Sequence, residues 1–154
     1  MMKEKIHIRQ AELQYLDAIE RIELENFSEE EAIAREILKD HIEKIQTTFL
    51  VAECQGQILG YLEGPVRPER YLIDSSFSEV EDLSQLEKGF ISITSLSIAK
   101  EAQGLGVGTL LLEAMKEIAI KEDRQGINLT CHDYLIPYYE KQGFTNEGLS
   151  ESQY

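Results

Sequence analysis

Apolar and polar residues alternate over residues 5–10 (KIHIRQ), the two-residue period of a half-buried strand. From Ala11 to about Glu25 the spacing turns helical, with Leu13, Leu16, Ile19 and Ile22 three residues apart. Ser28 and Glu31 then stand at capping-box spacing, with Phe27 and Ala32 placed as a hydrophobic staple, so a second helix is predicted from Glu29 to about Lys44. TFLVAEC (48–54) and ILGYLEGPV (58–66) are β-rich runs either side of Gln55-Gly56-Gln57, a hairpin signal. Residues 67–89 are polar and acidic with little periodicity, and read as a loop or short helix over a site.

FISITSLSI (90–98) is a strand whose pattern breaks. Ile91 and Ile93 share one parity; Leu96 and Ile98 have the other. A one-residue slip between Ile93 and Leu96, as a β-bulge gives, would reconcile them. Such a slip splays the strand from a neighbour and frees backbone N–H and C=O groups. Next come QGLGVG (103–108) and a helical face of Leu111, Ala114, Met115, Ile118 and Ala119. INLTCH (127–132) predicts another strand. YLIPYYEKQ (134–142) predicts a short helix stopped by Gly143, with Phe144 opening a further segment. Strand, glycine loop, helix and strand make a βαβ unit, so the fold class is α/β (α+β), with a parallel pair inside a mixed, mostly antiparallel sheet of six to seven strands and about four helices.

The 154 residues suit one domain, 1–154. The net charge of −14 disfavours binding to nucleic acid or an anionic membrane and mildly favours cationic partners such as amines. Cys54 and Cys131 form no CxxC, and with His7, His41 and His132 they make no metal-ligand pattern, so no metal is expected. His41 and His7 read as surface residues. Residues 1–10 lack an apolar stretch of signal-peptide length, and no run reaches membrane-spanning length. A cytoplasmic protein with reduced thiols is expected.

Glycines at a helix start let an anion approach bare N–H groups with the helix dipole behind them. A phosphate, most naturally a pyrophosphate, suits QGLGVG. The spacing fits neither GxxxxGK(S/T) nor GxGxxG, and a turn that only packs helix on strand is the alternative.

LSIAKEAQGLGVGTLLLEAM resembles motif A of the Gcn5-related N-acetyltransferases, with Gln103, Gly106 and Gly108 in register. YYEKQGF (138–144) is similar to that family's Tyr-Glu-Lys-x-Gly-Phe segment. CHDYLIPYYEKQGF and LEGPV also resemble segments of the arylalkylamine N-acetyltransferases. The resemblance implies acetyl-CoA as donor. Its pyrophosphate would lie on the amides of Gln103, Gly104, Leu105, Gly106, Val107, Gly108 and Thr109, and its pantetheine arm along Leu96, Ser97 and Ile98. Tyr139 matches the family tyrosine that protonates the leaving thiolate, with Tyr138 as the alternative. The Ile98 N–H would meet the thioester carbonyl.

The base is where the chain departs from its relatives. Ser92 and Thr94 align with the arylalkylamine enzymes' histidines, and neither hydroxyl is a useful base near neutral pH, although either could order a water. Glu63, through a water relay, and His132 are the candidates; His132 also falls where relatives place a pantetheine-contacting residue. The acceptor would be a primary amine, small and cationic or aromatic, bound between the first two helices, the 67–89 loop and the strand 90–98. Glu29, Glu30, Glu31, Glu79, Glu81 and Asp82 would make that rim acidic. With no evident base, an acyl-CoA-binding regulator without turnover is the competing reading. GFTNEGLSESQY is too short for the family's last two strands, so either the sheet ends early, or a partner supplies the strand, or the sequence continues; an unpaired edge would invite a homodimer.

Overall fold

The computed structural model describes residues 6–28, 30, 32–67, 89–129 and 135–146. Strands β1 (His7–Gln10), β2 (Phe49–Cys54), β3 (Gln57–Glu63) and β6 (Ser95–Ile98) form one sheet in the order β1-β2-β3-β6, antiparallel throughout. Strands β4 (Val66–Arg67), β5 (Phe90–Ile93) and β7 (Gly126–Leu129) form a second, in which β5 and β7 run parallel. The helices are α1 (Leu16–Asn26), α2 (Arg35–Lys44), α3 (Val107–Lys121) and α4 (Ile136–Lys141). The expected parallel crossover is thus β5–β6, α3, β7.

The hairpin turns where the glycine predicts it. Gln55 and Gly56 both have positive φ (51° and 81°), the two-residue turn whose twist matches the flanking strands. Strand alternation then sorts the first sheet into two faces. Tyr61 and Ser97 face α1, where they meet Glu23 and Asn26. Leu62 and Leu96, of opposite parity, face α3 and its buried Leu111, Leu112 and Met115. The predicted stripe on α3 holds, and Leu112 widens it.

Three local expectations give way to tertiary packing. The second helix begins at Arg35, not Glu29, and its N-cap residue Ala34 makes no side-chain cap. The Ser28 carbonyl accepts a single-turn bond from Ala32 N–H, and Phe27 is 41% exposed. A carboxylate oxygen of Glu23 instead takes the Ile33 N–H at 2.9 Å and holds this segment out of the helix. Residues Leu13–Tyr15 form a 3₁₀ turn ahead of α1. His41, expected at the surface, is fully buried.

The run 90–98 divides at Thr94. Thr94 N–H donates to the Glu63 carbonyl (2.9 Å), although Glu63 already stands opposite Ser95. Two residues therefore oppose one, the bulge that the parity conflict called for. Glycine makes the join possible: a Cβ on Gly64 would lie 2.7 Å from Ile93 Cα and closer still to the Ser92 carbonyl oxygen. β3 ends there, and the chain resumes as β4 beside β5.

Candidate active site

The bulge leaves an edge open. β7 follows β5 as far as the Ile93–Leu129 pair, while β6 turns away with β3. Among the described residues no strand pairs with the other side of β6. Ala99 N–H bonds to the Leu59 carbonyl (2.8 Å), which fixes the alternation of this ladder. The backbone groups of Leu96 and Ile98 accordingly point away from β3, to the open side. Ser97 does not join them. Its backbone faces Tyr61, and its buried hydroxyl accepts from Asn26 Nδ2 at 2.7 Å. The Ile98 carbonyl is taken by Asn26 Nδ2 (2.9 Å) and Gln103 Nε2 (3.3 Å), which tie the end of α1 to this edge.

Beyond β6 a 3₁₀ turn, Lys100–Ala102, leads into the glycine loop. Gly104 and Gly106 are left-handed (φ 87° and 80°), and Gly106 is the N-cap of α3 with no side chain capping it. The first helical bond is Leu110 N–H to the Gly106 carbonyl, 3.1 Å. The N–H groups of Gly104, Gly106, Val107, Gly108 and Thr109 have no backbone acceptor among the described residues. Those of Gln103 and Leu105 make long bonds of 3.4 Å to the preceding turn. A Cβ at Gly104 or Gly106 would meet nothing within 4 Å. The glycines are there for their backbone angle, and the space over them is open.

α4 docks on the same helix start. Gln142 Nε2 donates to Thr109 Oγ1 at 3.2 Å, and Gly143 (φ 96°) ends the helix. The Tyr139 ring sits edge-on to both Tyr138 (5.1 Å) and Phe144 (5.7 Å). The Tyr138 hydroxyl reaches Thr109 Oγ1 (3.5 Å) and would lie 2.9 Å from a Cβ at Gly108. The Tyr138 hydroxyl therefore stands at the first turn of α3, and Tyr139 packs edge-on against the Tyr138 ring.

On the α1 face of the sheet lies a buried polar cluster. Glu63 is fully buried, and its Oε1 is 2.5 Å from Nδ1 of His41. Tyr61 donates its hydroxyl hydrogen to Glu23 and accepts one from Ser95 Oγ at 3.0 Å. Burial pushes the Glu23 carboxyl above the ordinary range, against the hydrogen bonds from Tyr61 and Ile33, and the charge of Glu63 adds to the push. Burial, with Glu23 and Glu63 nearby, raises the Tyr61 phenol well above its ordinary value. Glu63 Oε2, Thr94 Oγ1 and Ser92 Oγ are buried without a hydrogen-bond partner among the described residues. Buried oxygens without a protein partner are where ordered water is commonly found.

Glu23 and Tyr61 were not singled out from the sequence, and His41 was placed at the surface. Their signal was present: Glu23 is four residues after Ile19 on the apolar face of α1, and His41 is three after Leu38 on that of α2. His132, Glu29, Glu31, Glu79, Glu81 and Asp82 lie outside the described residues; Glu30 is exposed. No group of three or more His, Cys, Asp or Glu among the described residues could hold a metal ion, and no described helix is long and apolar enough to cross a membrane.

An uncapped helix start beside an open strand edge is what motif A builds, and the pattern of the Acetyltransferase (GNAT) family matches residues 15–144. The chain belongs to that family. An N-alpha-acetyltransferase of Sulfurisphaera tokodaii is 30% identical over 110 residues. That match covers 68% of this chain and 60% of the relative, so the chain spans well under the relative's full length. Two solved structures share the GNAT fold. Ard1 from Thermoplasma volcanium has a TM-score of 0.69 at 18% identity, over 91% of this chain and 82% of that one. A transcriptional regulator from Bacillus halodurans C-125 has a TM-score of 0.73 at 19% identity, over 95% and 98%.

Proposed function

We propose that this GNAT protein transfers the acetyl group of acetyl-CoA to a primary amine by direct attack in a ternary complex. The observation that carries the reading is the uncapped start of α3, with its free N–H groups, next to the open edge of β6. The amides from Gln103 to Thr109 would hold the diphosphate. Leu96 and Ile98 would pair with the pantetheine arm, and Ser97 would brace the strand from behind. The Ile98 N–H would stabilise charge growing on the thioester oxygen, and Tyr139 would protonate the leaving sulfur.

Glu63 would take the amine's proton through water. Its burial rules out direct contact with the amine in this conformation, and its unpartnered Oε2, with Ser92 and Thr94 beside the same bulge, supports a relay. Acceptors to test are small cationic amines, aromatic amines such as those of the arylalkylamine enzymes, and, from the name of the Sulfurisphaera relative, peptide α-amines.

The test is thiol release from acetyl-CoA over that acceptor panel. Turnover is expected, with kcat lowered roughly 10²-fold or more in Tyr139→Phe, the share of one proton-transfer group, and far less in Tyr138→Phe. Saturable acetyl-CoA binding with no thiol release from any acceptor would overturn the enzyme in favour of a coenzyme-sensing regulator.

A further inference from the structure

Glu63 is a carboxylate without solvent, satisfied on one oxygen only. His41 reaches Oε1 from α2 across the face of the sheet. A second buried carboxylate, Glu23 on α1, stands on the same face with the Tyr61 hydroxyl between the two helices' contributions, and the charges of Glu23 and Glu63 oppose one another. Two buried carboxylates that repel tend to share a proton unless a cation is close. Among the described residues, the groups around Glu63 are Glu23 from α1, Tyr61 from its own strand, Ser95 from β6, Ser92 and Thr94 at the bulge, and His41 from α2; of these, His41 is the one that can carry positive charge.

We propose that His41 is a positioning residue that keeps Glu63 ionised and engaged at Oε1, so that Oε2 is the oxygen that receives the acceptor's proton. This rests on the reading of Glu63 as the base. The proton balance is simple. An ammonium N–H bond breaks, the proton passes through water, and an O–H bond forms at Oε2; the proton returns to solvent between turnovers. An ion pair that only fastens α2 to the sheet would give stability and nothing more.

The test separates these roles by infrared difference spectroscopy of the Glu63 carboxyl, using Glu63→Gln as the subtraction partner, together with steady-state kinetics. His41→Gln is expected to show a protonated-carboxyl band at neutral pH that the wild type lacks. Its kcat should fall at least about tenfold, a part of the roughly 10²–10⁴-fold that a general base contributes. The KM for acetyl-CoA should be unchanged, and His41→Arg, which keeps the cation, should recover most of the rate. A His41→Gln protein that melts earlier but keeps an ionised Glu63 and wild-type kcat would overturn the proposal. So would a protonated-carboxyl band in the wild type that Glu63→Gln removes and Glu23→Gln leaves in place, a measurement that stands even if His41→Gln fails to fold. If the wild type turns over no amine, the enzyme reading fails, and the band still decides what His41 does to Glu63.

Discussion

On the proposed function, Gly106 would set the donor site through one dihedral angle. At φ 80° it turns the chain into α3 without a side-chain cap, so the first N–H groups stay unused. Any side chain there costs about 1–2 kcal/mol in backbone strain. A glutamate adds a negative charge where a diphosphate should sit. Gly106→Glu is therefore expected to fold and to lose acetyl-CoA affinity by more than tenfold, read by isothermal titration. Unchanged affinity would remove the loop from the account. Glu23 makes a separate, pH-dependent contribution. Its carboxyl is raised in the folded state, so the folded protein holds that proton more firmly than the unfolded chain does. Its ionisation then costs stability as pH rises from the ordinary carboxylate range through the raised value. Urea unfolding over that window should show the stability of wild type relative to Glu23→Gln declining with pH, then levelling. A difference that is flat or grows with pH would contradict the burial argument.

Among the elements, the broken strand 90–98 decides the architecture. Gly64 lets β3 cross it at the bulge, where a Cβ would press on the backbone of Ser92 and Ile93. Gly64→Ala should cost about 1–3 kcal/mol in urea unfolding, as overpacking does, and should raise the KM for acetyl-CoA because the join shapes the open edge. A neutral substitution would mean that the crossing is looser than described. This element was legible in the sequence: two pairs of aliphatic residues of opposite parity can only be reconciled by a slip. The α3 stripe was legible for the same reason, since one helix face has one period. The start of α2 was not. Ser28 and Glu31 have the spacing of a cap, but a carboxylate ten residues back claims the Ile33 N–H, and no local pattern contains that contact. His41 was misplaced likewise, because its partner Glu63 lies on another element.

At the scale of the whole molecule, a chain of net charge −14 would, on the proposed function, bind an anionic donor and attract a cationic acceptor. The two should respond to salt in opposite directions. Screening weakens the attraction of an amine and relieves the repulsion of the coenzyme. Raising the salt concentration is expected to lower kcat/KM for a cationic amine and to lower the Kd for acetyl-CoA. Parallel responses would show that the overall charge governs neither step. The donor cleft itself is most directly tested by a crystal structure grown with acetyl-CoA. The expected result is a diphosphate within hydrogen-bond distance of the amides between Gly104 and Thr109, with the pantetheine arm paired to Leu96 and Ile98. Density for the coenzyme elsewhere on the protein, or an empty cleft at saturating concentration, would contradict the account.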